Sequence, residues 1–521
     1  MLRDVTRLED LIATSPALTD AAAANLRALF AHPAAPRWYQ GAGDRLTAAD
    51  GDRVRRYAAD LATQRGPRGT RPAPAILAWA RDRVAATPLL RRLVGERDVE
   101  DAWESLPTTS REDLARHAEL LVPDDAELGR MIVYRTAGST GHALRVPSDP
   151  VAVNGYLPLI QYALERWGVR LELGPERVSH FLVGHQTRTV SYPASFSYWN
   201  GAGFAKLNLH PDRWRETGDP QAYFDAFAPQ FLAGDPLSFA AMQRSGLRAR
   251  PHALLTTAVA MSPALKELLQ AAYGCPVIDW YSLTETGPLA YACPLGHGYH
   301  WLPHDVHLET LDEYGQPTSG VNAVETWNPL PLGEGRVRAE APNGSTSSPQ
   351  AQGAPALTPT GSAPLATLSP RGEGLHSVPL TSGVGEITVT GGRNPFLPLF
   401  RYRTGDWGRL DYSPCPCGDP MPRLLDLEGR EPVQLEDARG QPVNPVDVAR
   451  LLREFPVMQH QLEQRGDCSV SLVLRPVPER GLDLASLRDQ LARLFGGVSV
   501  TIRDDPALGE TAKVIPYRRV P

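Results

Sequence analysis

Cysteine is scarce, at five in 521 residues. That count excludes a disulfide scaffold. Positive charge is not in excess: 53 Lys and Arg stand against 59 Asp and Glu, a formal net charge of −6. A nucleic-acid binder working through a basic field is therefore excluded. No stretch approaches the roughly 18 successive apolar residues of a membrane helix. The opening MLRDVTRLEDLIATS has no apolar centre of the signal-peptide kind. The expected location is the cytoplasm, with no membrane and no nucleic acid among the partners. Hydrophobic residues make up 42% of the chain, enough to bury a core over most of it. At roughly 100–200 residues per domain, two to four domains are expected. No internal repeat is visible.

Residues 1–130 read as a helical region. Leu8, Leu11 and Ile12 have helical spacing, and Thr19 and Asp20 are start signals for ALTDAAAANLRALFAH. In WESLPTTSREDL, Pro107 ends one element and Thr109 or Ser110 caps the next helix, with Glu112 and Asp113 in its first turn. From about 130, short β-branched runs such as VSHFLVG and CPVIDWYSL alternate with helical stretches such as SPALKELLQAAYG. This alternation predicts an α/β layer architecture. Residues 131–428 form the expected core, and 429–521, with two helices and two strands, a small α+β C-terminal domain. Residues 339–382 have no aromatic residue and are dominated by Ala, Pro, Ser, Thr and Gly. Such a segment cannot bury enough apolar surface to offset its chain entropy, which predicts a disordered, dispensable insertion. Its flanks, LDEYGQPTSG and GVGEITVTGG, read as two halves of one β-rich unit.

Three short motifs carry candidate chemistry. Thr136, Gly138, Ser139, Thr140 and Gly141 follow the strand-like MIVYR. Glycines let a backbone approach phosphate, amide N–H groups point at oxyanions, and hydroxyls add donors. No GK[ST] follows, so this is not a Walker loop. Tyr281, Thr284 and Glu285 follow the strand VIDW. A carboxylate at a strand end can hold Mg²⁺, and an adjacent aromatic ring can stack on a base. Asp406, in RYRTGD, can accept both hydroxyls of a ribose from a tight turn, and Arg401 and Arg403 beside it can meet phosphate. Taken singly, each motif also reads as an ordinary turn or a solvated surface loop.

Together, the order and spacing of TAGSTGH, YSLTETG and RYRTGD resemble the acyl-adenylate-forming superfamily, which includes acyl-CoA synthetases and nonribosomal adenylation domains. Within it the resemblance is closest to the phenylacetate–CoA ligase family. WESLPTTSREDL, the CPCG after RYRTGDWGRLDYS, DLEGREPV and RGQPVNPVDVARLL match as well, so most of residues 100–521 is covered apart from 339–382. The resemblance implies a large multi-sheet adenylation domain and a small mobile C-terminal domain. It also implies a two-step reaction, in which a carboxylic acid and ATP give an acyl-adenylate that is then attacked by a thiol, most often CoA. Thr136, Gly138, Ser139, Thr140 and Gly141 would hold the triphosphate, Glu285 Mg²⁺, Tyr281 and Thr284 the adenylate, and Asp406 the ribose. Arg430 would lie at the hinge beside the nucleotide, and Lys513, in GETAKVIPYRR, would be the mobile catalytic lysine.

There are departures from the pattern. Thr257-Ala258-Val259 stands where the family has Gly-x-Glu, and Gly429-Arg430-Glu431-Pro432 where its hinge has Gly-Arg-x-Asp. Proline fixes φ at the point where the chain should swivel. Cys293 with His300, and Cys415 with Cys417, resemble the metal-binding residues of some phenylacetate–CoA ligase relatives and would form a structural Cys₃His zinc site. His297 competes with His300 and His304 is a weaker candidate, while Cys275 and Cys468 read as plain buried residues. The runner-up reading keeps adenylation and changes the acceptor to a protein or carrier protein, or stops at a nucleotide adduct. A non-catalytic binding homologue is the third alternative, and a homodimer is open. The acid is unspecified. The aromatic-rich HQTRTVSYPASFSYWNGAG suits a pocket for a flat aryl acid and suits core packing equally.

Overall fold

A computed structural model describes residues 7–39, 41–63, 71–135, 144–186, 189–258, 261–303, 305–312, 314–318, 383–429, 435–443, 445–509 and 514–520. The phosphate-loop candidates Thr136, Gly138, Ser139, Thr140 and Gly141, together with Val259, His304, the segment 339–382, Arg430, Pro432 and Lys513, lie outside the described residues.

The N-terminal elements are mostly helical, as their local signals dictate. Thr19 caps Asp20–Ala31 by accepting from the Ala22 N–H, and the apolar stripe Ala22, Ala23, Leu26 and Leu29 is buried. Leu29 enters a core with Val178, Phe181, Leu207 and Leu232 of the main sheet. The 111–117 helix carries a reciprocal capping box: the Ser110 hydroxyl accepts from the Asp113 N–H while the Asp113 carboxylate takes the Ser110 N–H.

Among the described residues the main sheet has 13 strands. One half is parallel: Val277–Leu283, Ala253–Thr256, Phe231–Gly234, Val178–Gly184 and Ala202–Asn208 lie side by side, with Tyr192–Phe196 antiparallel at the edge. Ala253–Thr256 is buried at every position, the pattern of a strand covered on both faces. The crossover helix Pro263–Tyr273 starts on the Ser262 cap with Pro263 in its first turn and ends on Gly274 in the left-handed region. The other half is antiparallel and runs Gly287–Ala292, Tyr299–Trp301, Arg423–Glu428, Leu399–Asp411, Gly385–Gly391 and Val306–Leu311. The last two pair from Val306↔Gly391 to Leu311↔Glu386, and of LDEYGQPTSG only Leu311 enters this pairing, while the Thr318 hydroxyl donates to the Gly383 carbonyl.

The halves meet at a single hairpin, Val277–Leu283 with Gly287–Ala292. It carries YSLTETG. The RYRTGD motif is not the tight turn its composition suggests. Leu399–Asp411 is one strand of 13 residues. Against Gly385–Gly391 its register jumps from Thr388↔Arg403 to Glu386↔Trp407, so Thr404, Gly405 and Asp406 stand opposite Ile387 alone. That bulge turns Asp406 out of the ladder, and Gly405 adopts the φ of +80° it needs.

Residues 435–520 build a smaller layer. Val500–Asp504, Val470–Pro476, Val457–Gln464 and Tyr517–Arg519 form a four-stranded sheet under the helices Pro445–Arg453 and Leu484–Leu494. Two of these strands were not read from the sequence. VMQHQLEQ and YRR are largely polar, because much of each strand's surface is only half-buried or exposed. Leu452, Leu462, Leu472, Leu487 and Leu491 fill the core of this layer. It leans on the main sheet through Met458 and Val477, which share a core with Leu269, and through Arg450–Asp426 at 2.6 Å and Arg453–Glu428 at 2.5 Å. Among the described residues, no helix is long and apolar enough to cross a membrane.

Candidate active site and metal centre

The hairpin and the bulge bring two separate motifs together. Tyr281 lies on the strand and Glu285 at the hairpin tip, outside the carboxyl end of the parallel half, where α/β sheets place their ligands. The Tyr281 O–H donates to Asp406 Oδ2 at 2.8 Å across 125 residues of sequence. Burial first, then the Asp406 charge, push the Tyr281 phenol well above its ordinary range, so it remains a donor. Gly429, at the start of the expected hinge, lies beside Asp406, and a Cβ there would stand 3.5 Å from Oδ1.

Glu285 is 4% exposed. Its Oε1 accepts from Arg111 Nη1 at 2.7 Å and from the Tyr402 O–H at 3.2 Å. Among the described residues both bonds fall on Oε1, which leaves Oε2 as the edge for a cation. Thr284 is exposed at the tip of the same hairpin. Gly287 closes the hairpin at φ +70°, and a Cβ there would come within 2.3 Å of Tyr156 Cε1. Gly287→Ala is therefore expected to cost about 1–3 kcal/mol of stability through strain and overpacking. Urea unfolding of the variant checks this.

The arginines of the motif behave differently from the sequence expectation. Arg401 is fully buried, with Nε 3.0 Å from Glu309 Oε1, and it also donates to the Trp103 and Leu106 carbonyls. Its charge is consumed in tying WESLP to the antiparallel half. Arg403 pairs with Glu386, whose other oxygen accepts from the Gly405 N–H at 2.9 Å. Arg403 thus serves the bulge that presents Asp406 while Arg401 ties WESLP to the sheet, and a phosphate role for them is not what the geometry favours. Among the described residues, a cation that does reach the site is Arg111. The sequence reading passed over it because its partner lies 174 residues away and no local spacing links them. Ala258 stands at φ +72°, a region that costs an L-residue roughly 1–2 kcal/mol, and the neighbouring Thr257 hydroxyl lies 3.0 Å from the Ser282 hydroxyl.

The aromatic-rich stretch resolves toward packing. Phe196, Trp199 and Phe204 surround the buried ring of His180, together with Phe231. Burial lowers the His180 pKa to about 3, so it is neutral core.

Beyond the hairpin, Cys293, His300, Cys415 and Cys417 converge, their ligand atoms all within 4.8 Å of one another. Cys293 and His300 flank the turn between Gly287–Ala292 and Tyr299–Trp301, and the two other cysteines lie between Leu399–Asp411 and Arg423–Glu428. Cys293 Sγ lies 3.7 Å from Cys415 Sγ, and Cys417 Sγ 3.1 Å from His300 Nε2. Zn–S bonds of about 2.3 Å in a tetrahedron set sulfurs about 3.8 Å apart, so the donor set fits. His300 Nδ1 lies 3.1 Å from the Met421 carbonyl, an anchor that leaves Nε2 to face the sulfurs. Burial opposes ionisation of Cys415, but the Cys417 N–H and His297 pull its thiol down to about 6. Burial and the neighbouring thiols push Cys417 up to about 12. His297 Nδ1 lies 3.7 Å from Cys415 Sγ and stays outside the four converging residues. Cys275 is buried and Cys468 half-buried.

No protein-family model and no curated protein matches the chain. Solved structures do. Two crystal structures of 2-hydroxyisobutyryl-CoA ligase in the postadenylation state, one with R3-HIB-AMP and one with 2-HIB-AMP, superpose with TM-scores of 0.53 and 0.52. They are each 14% identical to this chain, with 86% and 91% of it covered and 90% of each ligase chain covered. The chain thus has the fold found in an acyl-CoA ligase, over most of its length.

Proposed function

We propose that the chain activates a carboxylic acid with ATP and passes the acyl group to a thiol, most readily CoA. The observation that carries this reading is the convergence of Tyr281, Glu285 and Asp406 at the one hairpin where the sheet changes from parallel to antiparallel. The fold shared with 2-hydroxyisobutyryl-CoA ligase supports it. The motif wording supports the phenylacetate–CoA ligase branch, with 1–130, 131–428 and 429–521 as the units of the chain.

An acid oxygen attacks the α-phosphorus of ATP, and pyrophosphate leaves with the bonding pair. A thiolate then attacks the acyl carbon of the mixed anhydride, and AMP leaves. The first step brings two anions together, so it needs cations and N–H donors around the phosphates. When bound, Mg²⁺ would supply positive charge at the phosphates, with Glu285 Oε2 as its protein ligand. Arg111 and Tyr402 fix the Glu285 carboxylate so that it does not reorient during the reaction. Asp406 would accept the ribose hydroxyls, held in line by the Tyr281 O–H. Thr136, Gly138, Ser139, Thr140 and Gly141 would receive the phosphates, with Thr284, Arg430 and Lys513 completing the nucleotide site. The Cys₃His cluster would hold a structural zinc, since four protein ligands leave no open position.

Asp406→Ala tests the nucleotide assignment. Losing hydrogen bonds to a charged acceptor costs about 1.5–3 kcal/mol, a rise of roughly 10- to 150-fold in the Kd for ATP. Calorimetric titration with ATP reads it directly. An unchanged Kd in a folded variant removes Asp406 from the ribose site.

A further inference from the structure

Asp419 comes directly after the CPCG turn and is 5% exposed. Its Oδ1 accepts from the Met421 N–H at 2.8 Å. Its Oδ2 accepts from the Tyr162 O–H at 3.3 Å and from the Tyr291 O–H, and lies 3.3 Å from Arg166 Nε. Tyr162 and Arg166 belong to the helix Tyr156–Arg166, and 257 residues of sequence separate Tyr162 from Asp419. Arg166 Nη2 in turn donates to the Tyr162 hydroxyl at 3.0 Å. One residue past the helix, the Trp167 indole N–H donates to the Ala292 carbonyl at 2.9 Å, directly before Cys293. The end of this helix is thus tied to both segments that supply the Cys₃His cluster.

A buried carboxylate with its donors adds little net stability over an apolar core of the same shape. Its partners among the described residues do not include Tyr281, Glu285 or Asp406, so the adenylation reading gives it no task. What it faces is the cluster. His300 Nδ1 lies 3.9 Å from Asp419 Oδ1 and 3.1 Å from the Met421 carbonyl. Both neighbours only accept, so this edge of the ring carries the proton. Nε2 then keeps its lone pair, 3.1 Å from Cys417 Sγ. Asp419 also holds the Met421 peptide by its N–H, and so fixes the carbonyl that His300 meets. Tyr291 adds a second hold, since it stands opposite His300 in the strand pair with ring centroids 5.8 Å apart. Metal-bound imidazoles pass their other N–H to carbonyls and carboxylates of this kind, and losing such a partner weakens metal binding about 10- to 100-fold.

We propose that Asp419 is a positioning residue of the metal centre, acting on His300 through the Met421 peptide and through the Nδ1 edge of the ring. The helix Tyr156–Arg166 holds Asp419 in place and supplies no ligand. Side chains on that helix therefore set the metal affinity of a cluster to which they give no donor atom. This rests on the zinc reading of the Cys₃His cluster and adds to it the residue that orients its imidazole.

The test is zinc transfer from the purified full chain to a chromophoric chelator at equilibrium, with the melting temperature read alongside. Asp419→Ala should hold zinc about 10- to 100-fold more weakly. Tyr162→Phe, which removes one donor to Asp419, should weaken it several-fold. Asp419→Asn keeps an acceptor for the Met421 N–H and should fall between the parent and Asp419→Ala. In the cobalt-loaded chain the visible ligand-field bands of Asp419→Ala should shift, because His300 is no longer oriented. Leu269→Ala, in a core that holds none of the four ligands, should melt lower with zinc transfer unchanged. If Asp419→Ala fails to fold, Asp419→Asn and Tyr162→Phe decide the question. Zinc held as tightly in those two as in the parent overturns the positioning role and leaves the zinc reading standing, whatever the melting temperatures. A loss no larger than that of Leu269→Ala overturns it too and makes Asp419 a structural tie. A parent chain that holds no metal overturns both.

Discussion

Glu285→Gln is expected to lower acid-dependent ATP–pyrophosphate exchange about a hundred-fold or more, the scale seen when one preorganised electrostatic group is removed from an active site. The amide keeps an oxygen for Arg111 and Tyr402, so the hairpin tip retains its bonds. What it loses is the negative charge that would draw Mg²⁺. Arg111 is 35% exposed in that pair, so water can take over its charge, and the fold should lose no more than about 1 kcal/mol. The rate loss should therefore come without a matching fall in melting temperature. The Mg²⁺ concentration for half-maximal exchange should rise as well. Wild-type exchange in Glu285→Gln would remove Glu285 from the cation site.

The second large effect concerns the metal. Elemental analysis is expected to give about one zinc per chain, and Cys415→Ser or Cys293→Ser to abolish it. The cluster closes the turn after the Glu285 hairpin onto the turn after the Asp406 strand, across 122 residues for Cys293 and Cys415. Such a clamp restricts the unfolded chain and also compensates thiols that burial opposes ionising. A loss of about 3 kcal/mol or more lowers the melting temperature by roughly 5 °C in a unit of about 300 residues. The Ser variants should melt that much lower, and a strong chelator should do the same to the parent. Activity should fall through lost order. Metal-free protein, with variants as stable as the parent, would make these plain thiols.

How much of this was legible in the sequence follows from the range of each signal. Local signals held: the Ser110–Asp113 capping box and the Ser262–Gly274 helix limits are written within a few residues. Of the two flanks, GVGEITVTGG carries the strand Gly385–Gly391, whereas its partner Val306–Leu311 lies ahead of LDEYGQPTSG and was not read from the sequence. The bulge at Thr404–Asp406 was not, because glycine beside aspartate marks a turn and a bulge alike. Arg401 read as a phosphate ligand since no spacing reveals Glu309, 92 residues away. The convergence of Cys293, His300, Cys415 and Cys417 came from the family resemblance, and the structure adds the His300–Met421 anchor that sets the ring. The aromatic stretch that drew attention fills the core around His180.

One measurement bears on the central claim most directly: ATP–pyrophosphate exchange by the purified full chain over a panel of carboxylic acids, followed by CoA. The account predicts exchange that needs both an acid and Mg²⁺, and, once CoA is added, release of AMP with formation of one acyl thioester per AMP. ATP binding of ordinary strength with no exchange for any acid on the panel would contradict it.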